Sequence, residues 1–202
     1  ITFGNVANHA VQVRGDAGAD TVLIHNVRIF DTGEQMVKGS YNASGGADNG
    51  TVQCSLLEYT NDEGPQWYIG GVDIHQGANW LVRNNTFKNI RSPEVGSGPS
   101  EHAIHFWSDS QNITIESNTI INCDRGIGLG LGDRGASGGD IRNNMIFNDG
   151  QGLNNSVGIG LENADNVSIV NNTVYLKDSG TNAIEYRFAG TTGTEIYNNL
   201  TN

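Results

Sequence analysis

The chain has few basic residues, little cysteine and no long apolar run, and each shortage excludes a class of protein. Eleven lysines and arginines stand against 22 aspartates and glutamates, so nothing attracts the chain as a whole to nucleic acid or to an anionic membrane. No apolar run reaches 18 residues, so we expect no membrane-spanning segment. The two cysteines, Cys54 and Cys123, form no metal-binding motif, and we expect both thiols to be buried.

Glycine and asparagine are abundant instead. The 202 residues include 28 glycines and 26 asparagines, together roughly a quarter of the chain. Both are weak helix formers, so a helical bundle is a poor fit, and the glycines lack the strict three-residue period of collagen. Isoleucine and valine are frequent enough to argue against disorder. The composition predicts one β-rich domain over residues 1–202 with many turns.

Two short motifs alternate along the chain. The first is an apolar residue followed three positions later by an asparagine. Its last position falls at Asn26, Ser55, Asn85, Asn118, Asn144, Asn172 and Asn199. The second alternates apolar residues with period two, which is typical of a half-buried strand. Its seven copies begin at Ala10, Gln35, Gly71, Ala103, Gly126, Gly158 and Ala183.

A repeat of about 29 residues with only short strands cannot bury its apolar face alone, so we expect the repeats to stack as coils. Parallel strands of neighbouring coils would then lie about 4.8 Å apart. Asparagine at the corners tolerates left-handed backbone, and stacked amides can hydrogen-bond from coil to coil.

This asparagine-rich pattern resembles the right-handed parallel β-helix proteins of the pectate-lyase-like superfamily, over about residues 9–199. The resemblance implies an all-β, single-stranded right-handed parallel β-helix of about seven coils, an extracellular or periplasmic location, and action on polysaccharides. The chain matches no specific branch. It lacks the Asp pair and Gly-His-Gly of the polygalacturonate hydrolases, and the calcium-binding aspartates with downstream arginines of the pectate lyases.

Alignment of the seven strands predicts columns of side chains that run along the stack. The inward columns are apolar except at Lys38, which we interpret as a register error in that coil. The outward columns combine small residues with polar and aromatic ones, which predicts a shallow, exposed groove. Glu101 and His102, at the end of a Gly/Ser-rich insertion, are expected to border it.

The outward columns supply the candidate catalytic residues. His105 and Asp73 fall on adjacent coils, so we predict His105 as a general base whose tautomer Asp73 fixes. His75 and Arg187 are predicted to neutralise the carboxylate of a uronic-acid substrate. The alternative for Asp73 and His105 is an ordinary cross-strand charge pair.

Further positions are candidates for substrate binding. An exposed Trp107 would offer a flat face to a sugar ring, and Gly128 and Gly160 would let a ligand approach the backbone. Glu162 and Glu185 complete the set. Glu162 is also expected to pair with Arg187, and the two glutamates are spaced acceptably for a glycoside hydrolase.

We therefore expect a carbohydrate-active protein that binds a polysaccharide or glycan, with a polysaccharide lyase acting on a uronic-acid polymer as the leading hypothesis. A non-catalytic glycan-binding, adhesin-like or tailspike-like module and a glycoside hydrolase are the alternatives. No cofactor is predicted: Asp124, Asp133 and Asp140 could hold Ca²⁺, but no metal motif supports them.

The predicted stack has two further consequences. Cys54 and Cys123 would lie about two coil spacings apart, roughly 10 Å, which is too far for a disulfide. The chain begins at Ile1, so we expect a processed form or a piece of a longer protein. Uncapped coils would expose strand edges, which predicts self-association through the ends of the stack.

Overall fold

The computed structural model describes residues 1–93, 98–177 and 182–202. In these ranges the chain forms a parallel β-solenoid of about seven coils, with one single-turn 3-10 helix at Gly15–Ala17. Each coil contributes a strand to each of three sheets, and every pairing between strands is parallel. The predicted all-β solenoid of about seven coils is confirmed.

The strands fall into three sheets that we name A, B and C. Sheet A contains β1 (Thr2–Gly4), β4 (Arg28–Phe30), β7 (Leu56–Glu58), β10 (Thr86–Lys88), β13 (Thr119–Ile121), β16 (Met145–Asn148), β19 (Thr173–Leu176) and β22 (Leu200–Thr201). Sheet B contains β2 (Val11–Arg14), β5 (Val37–Ser40), β8 (Val72–His75), β11 (Ile104–Trp107), β14 (Ile127–Leu129), β17 (Val157–Glu162) and β20 (Asn182–Arg187). Sheet C contains β3 (Leu23–His25), β6 (Thr51–Gln53), β9 (Leu81–Arg83), β12 (Ser110–Glu116), β15 (Ala136–Arg142), β18 (Ala164–Val170) and β21 (Glu195–Tyr197).

The core is a set of apolar columns that run along the solenoid. In sheet B, for example, Ile104 pairs with Ile127 and Ile127 with Ile159, and all three side chains are buried. Side chains alternate across a strand, so the residues between these positions point away from the core. This alternation puts the candidate functional residues on the outer face of sheet B.

Each corner between sheets C and A uses two consecutive residues. The first has a left-handed backbone, as at Asn84 and Asn143, which asparagine tolerates better than most residues. The second, as at Asn118, lies buried and accepts a hydrogen bond from the backbone N–H of Asn85 through its side-chain oxygen. The same bond recurs along the stack from Asn85 to Asn199, so the predicted amide ladder is present.

Two register predictions are settled by the pairing of the strands. Lys38 pairs with Asp73 and lies in an outward column, so the predicted register error in that coil is confirmed. The assignment of Asn26 to the ladder is wrong by one position. Asn26 takes the left-handed site, and its neighbour Val27 donates its N–H to the hydroxyl of Ser55.

Both cysteines are free thiols, which confirms the prediction that they form no disulfide. Cys123 is buried, and this burial raises the pKa of its thiol to about 12. Cys54 is exposed, so the prediction of two buried thiols is wrong for that residue. Cys54 is the first of the two residues at its corner and has a left-handed backbone. Residues in this first position face solvent. No helix in the described ranges is long and apolar enough to cross a membrane.

Candidate functional site

The predicted site residues share the outer face of sheet B. Lys38, Asp73, His105, Gly128, Gly160 and Glu185 pair successively from β5 to β20 and form one column. The column two residues further along contains two pairs, His75 with Trp107 and Glu162 with Arg187. The structure thus brings every predicted catalytic and substrate-binding residue to one face, although in two groups.

The first group is a buried cluster around the carboxylate of Asp73. Lys38 Nζ donates to Asp73 Oδ2 at 2.6 Å and Trp107 Nε1 donates to Asp73 Oδ1 at 2.7 Å. Lys38 also lies 2.9 Å from His75 Nε2. An ammonium group can only donate, so this imidazole nitrogen accepts. The cluster is therefore a buried ion pair with satisfied hydrogen bonds rather than an exposed groove.

The charges of this cluster follow from its contacts. Burial alone would raise the pKa of Asp73, but Lys38 and the two neighbouring histidines hold it below its usual value. Burial lowers the pKa of His75 to about 4, and Lys38 acts in the same direction against the opposite effect of Asp73. Asp73 is therefore ionised and His75 neutral near pH 7.

Trp107 is covered by its neighbours. The His75 ring centroid lies 4.0 Å from that of Trp107, and the Arg134 guanidinium lies 4.1 Å above the ring. Only 9% of Trp107 is exposed, so the prediction of an exposed sugar-stacking face is wrong. The tryptophan instead donates to Asp73. Tyr41 directly follows β5, and its ring centroid lies 5.4 Å from that of His75; it is the exposed aromatic ring of this group.

The second group contains His105, which is fully buried. Its Nε2 lies 3.0 Å from the carbonyl oxygen of Gly130. A carbonyl only accepts, so Nε2 carries the proton and donates. Nδ1 faces Glu101 Oε2 at 3.5 Å. The tautomer of His105 is therefore fixed by Gly130, and not by Asp73 as predicted from the sequence.

Glu101 and His102 lie directly before β11 and pack against His105. The His102 ring centroid lies 4.5 Å from that of His105, and 5% of His102 is exposed. Burial, with the charges of His105 and Arg125, holds the pKa of His102 well below its usual value, so His102 is neutral. Burial alone would raise the pKa of Glu101, but His105 and Arg125 hold it below its usual value.

The glycine column provides the floor on which His102 rests. A Cβ added at Gly128 would lie 2.6 Å from His102 Nε2, and one at Gly160 would lie 3.9 Å from the same atom. The glycines were predicted to let a ligand approach the backbone. The group that lies over them is instead the side chain of His102.

A cavity of about 520 Å³ opens beside His102. Its charged lining consists of Arg125, Glu162, Glu185 and Arg187, and Gly160 forms part of its wall. His102 lies at the wall of this cavity, which is consistent with the prediction that it borders a groove. Four of the sequence-predicted residues line the cavity: Gly160, Glu162, Glu185 and Arg187.

Arg187 is held between the two glutamates. Its Nη2 lies 2.6 Å from Glu162 Oε1 and its Nε lies 3.4 Å from Glu185 Oε1. Glu162 also accepts the backbone N–H of Gly132 at 2.6 Å. The predicted Glu162–Arg187 ion pair is confirmed. Arg125 is less engaged, because its ion pair in the described ranges is a 3.9 Å contact with Glu101.

The aspartates considered for Ca²⁺ have separate environments. Asp124 accepts backbone N–H bonds from Ser92 and Ser100, and burial raises its pKa. Asp140 lies 3.4 Å from Arg142 in an ion pair. Across the described residues, only Glu101, His102 and His105 form a group of three or more potential metal-binding side chains.

Sequence reasoning missed Arg125 and Arg134 as members of the site, and although it interpreted Lys38 as a register error, it did not place Lys38 beside Asp73. Arg125 and Arg134 lie in loops outside the aligned strands, so no column contained them. A signal for the cluster of Glu101, His102 and His105 was present in the sequence, because these three potential metal ligands lie within five residues at the start of β11.

The comparison with protein families gives one match, which spans nearly the whole chain. The model of the right-handed β-helix region matches residues 2–201. No curated protein and no solved structure matches the chain. The parallel sheets and the asparagine ladder agree with the family match, and the chain belongs to the right-handed β-helix family.

Proposed function

We propose that this protein is a carbohydrate-active enzyme that cleaves a uronic-acid-containing polysaccharide by β-elimination. The observation that carries the proposal is the cavity beside His102, which has two arginines in its lining and lies over the glycine column of sheet B. The fold of the right-handed β-helix family is compatible with action on carbohydrates. A long solenoid face suits a polymer, since several units can lie along it.

Elimination requires a cation at the substrate carboxylate, because neutralising that charge makes the neighbouring C–H acidic. Arg125 is suited to this role, since its one ion pair within residues 1–93, 98–177 and 182–202 is a long contact with Glu101. A planar guanidinium binds a carboxylate with two parallel hydrogen bonds. Arg187 was the cation predicted from the sequence. It is already bound by Glu162 and Glu185, so we assign it to shaping the cavity. His75 is neutral and contributes no charge.

Elimination also requires a group that accepts the proton. His105 as the proton acceptor stays a prediction. Asp73 is its neighbour in the same outward column of sheet B. The Nε2 of His105 donates to Gly130, so Nδ1 is the atom that could accept the proton, but the ring lies behind His102 and is fully buried. A proton acceptor should lie within hydrogen-bond reach of the substrate, so this role needs His102 to move.

Two alternative functions remain, a non-catalytic glycan-binding module and a glycoside hydrolase. A non-catalytic glycan-binding module is favoured by the charge of the cavity lining, where two arginines face two glutamates, and by the net charge of −11. A glycoside hydrolase would use Glu162 and Glu185. Such an enzyme needs one of its two carboxyl groups to donate a proton, whereas both of these contact Arg187.

The test uses uronate polymers such as polygalacturonate and alginate with the 202-residue protein. We expect unsaturated products, measured by their ultraviolet absorbance, and a loss of at least about 100-fold in rate for Arg125→Ala. Arg142→Ala is the matched control, because Arg142 lies in sheet C and pairs with Glu116. Binding without products would favour the module, and reducing ends without ultraviolet absorbance would favour the hydrolase.

A further inference from the structure

The buried imidazoles beside the cavity have ring nitrogens without a hydrogen-bond partner among the described residues. His102 Nδ1, His105 Nδ1 and Glu101 Oε2 are all buried and have no hydrogen-bond partner within the described ranges. Buried polar atoms are nearly always paired, because leaving one unpaired costs about 1–3 kcal/mol. Three such atoms in one cluster indicate a missing partner.

The protonation pattern agrees with that interpretation. His105 donates its Nε2 proton to the carbonyl of Gly130, and its Nδ1 faces Oε2 of Glu101 at 3.5 Å. A proton on Nδ1 or a cation between the two atoms makes this contact attractive. Metal-binding histidines characteristically donate their second nitrogen to a backbone carbonyl in this way, which fixes the ring and its tautomer.

The distances leave room for an ion. One ligand atom from each of Glu101, His102 and His105 lies within 4.8 Å of the other two. Two ligands of a tetrahedral ion with bonds of about 2.1 Å are about 3.4 Å apart, and the His105 Nδ1–Glu101 Oε2 distance is 3.5 Å. Side-chain movements of roughly 1 Å would complete the geometry of a three-residue site.

We propose that Glu101, His102 and His105 bind one divalent transition-metal ion. Two imidazoles and one carboxylate are the ligand set of several zinc enzymes and of non-haem iron sites. Mg²⁺ and Ca²⁺ are disfavoured, because they prefer oxygen ligands. Three protein ligands leave at least one coordination position open, and His102 lies at the wall of the cavity.

This site goes beyond the proposed elimination and does not depend on it. The ion would add positive charge to a cavity whose arginines and glutamates balance, and a substrate carboxylate or hydroxyl could occupy the open position. With both imidazoles bound to metal, His105 would act as a ligand and not as the proton acceptor. Metal binding is measured without any substrate, so failure of the metal site and failure of the lyase are separate results.

The experiment is calorimetric titration of chelator-treated protein with Zn²⁺, together with thermal unfolding at increasing Zn²⁺. We expect one ion per chain and a melting temperature that rises with Zn²⁺, because the ion binds the folded state. Glu101→Gln keeps the shape of the side chain, and we expect it and His102→Ala to weaken binding at least roughly tenfold. His25→Ala is the matched control, since His25 is an exposed histidine on sheet C.

The outcomes separate clearly. Stoichiometric binding that is lost in Glu101→Gln and His102→Ala and kept in His25→Ala supports the site. The proposal is overturned by the absence of stoichiometric binding, by unchanged binding in Glu101→Gln, or by loss of binding in His25→Ala, which would indicate an adventitious surface ion. If His102→Ala fails to fold by circular dichroism, the isosteric Glu101→Gln variant decides alone.

Discussion

At the scale of single residues, two glycines that are equivalent in the sequence pattern have different neighbours. Gly128 and Gly160 pair directly across β14 and β17, and both were predicted to leave space for a ligand. A Cβ on Gly128 would lie 2.6 Å from His102 Nε2, whereas a Cβ on Gly160 would have its nearest contact at 3.5 Å, with Val157 Cγ1. Gly128 is therefore required by His102, whereas a Cβ at Gly160 would make only ordinary van der Waals contacts.

Substitution of each glycine by alanine tests this difference. Gly128→Ala should displace the buried His102 ring and lower the free energy of unfolding by about 1–3 kcal/mol, the usual cost of overpacking. Gly160→Ala should be neutral or stabilise by up to about 1 kcal/mol, because alanine reduces the entropy of the unfolded chain. Denaturant unfolding of both variants measures the effects. Equal stability of the two variants would show that His102 does not rest on Gly128.

The sequence predicted which residues share the outer face of sheet B, because side-chain alternation assigns each residue of a strand to a face. It could not predict burial on that face. Trp107 is covered by the guanidinium of Arg134. The repeat pattern of the strands does not predict the path of the loop that carries Arg134. The same reason explains why Arg125 was missed.

At the scale of structural elements, the corner between sheets C and A sets the register of each coil. The first corner residue needs a left-handed backbone and the second needs an amide that bonds to the next coil. Asparagine suits both positions, so the sequence motif could not tell them apart in the first coil. Asn26 occupies the first position and Val27 the second, and this ambiguity of one residue caused the wrong ladder assignment.

The ladder also makes a quantitative prediction for its buried amides. Asn118 accepts the N–H of Asn85 and donates to the carbonyl of Val82. Asn118→Ala leaves both backbone groups buried without these partners, so we expect a loss of about 2–4 kcal/mol in the free energy of unfolding. Asn61→Ala, at an exposed position, is the control and should change stability by less than about 0.5 kcal/mol. A similar small effect at Asn118 would contradict a structural role for the ladder.

At the scale of the whole molecule, stacking supplies each inner coil with two neighbours and the outermost coils with one. The apolar columns of the core continue into the final coil, where Tyr186 pairs with Leu161 and Ile196 with Ile169. There Tyr186 is 62% exposed and Ile196 is 41% exposed, whereas Leu161 and Ile169 are fully buried. Among the described strands, β20, β21 and β22 also have a partner on one side alone.

This end of the solenoid should associate with a second copy of the 202-residue chain. Exposed strand edges pair readily with other strands, and the exposed core columns add apolar area. We expect sedimentation velocity to show a sedimentation coefficient that rises with concentration, and Ile196→Lys to keep the chain monomeric by placing a charge in the column. Met145→Lys is the matched control, because Met145 is an exposed apolar residue on the side of sheet A. A monomer at all concentrations, or an equal effect of Met145→Lys, would rule out association through this end.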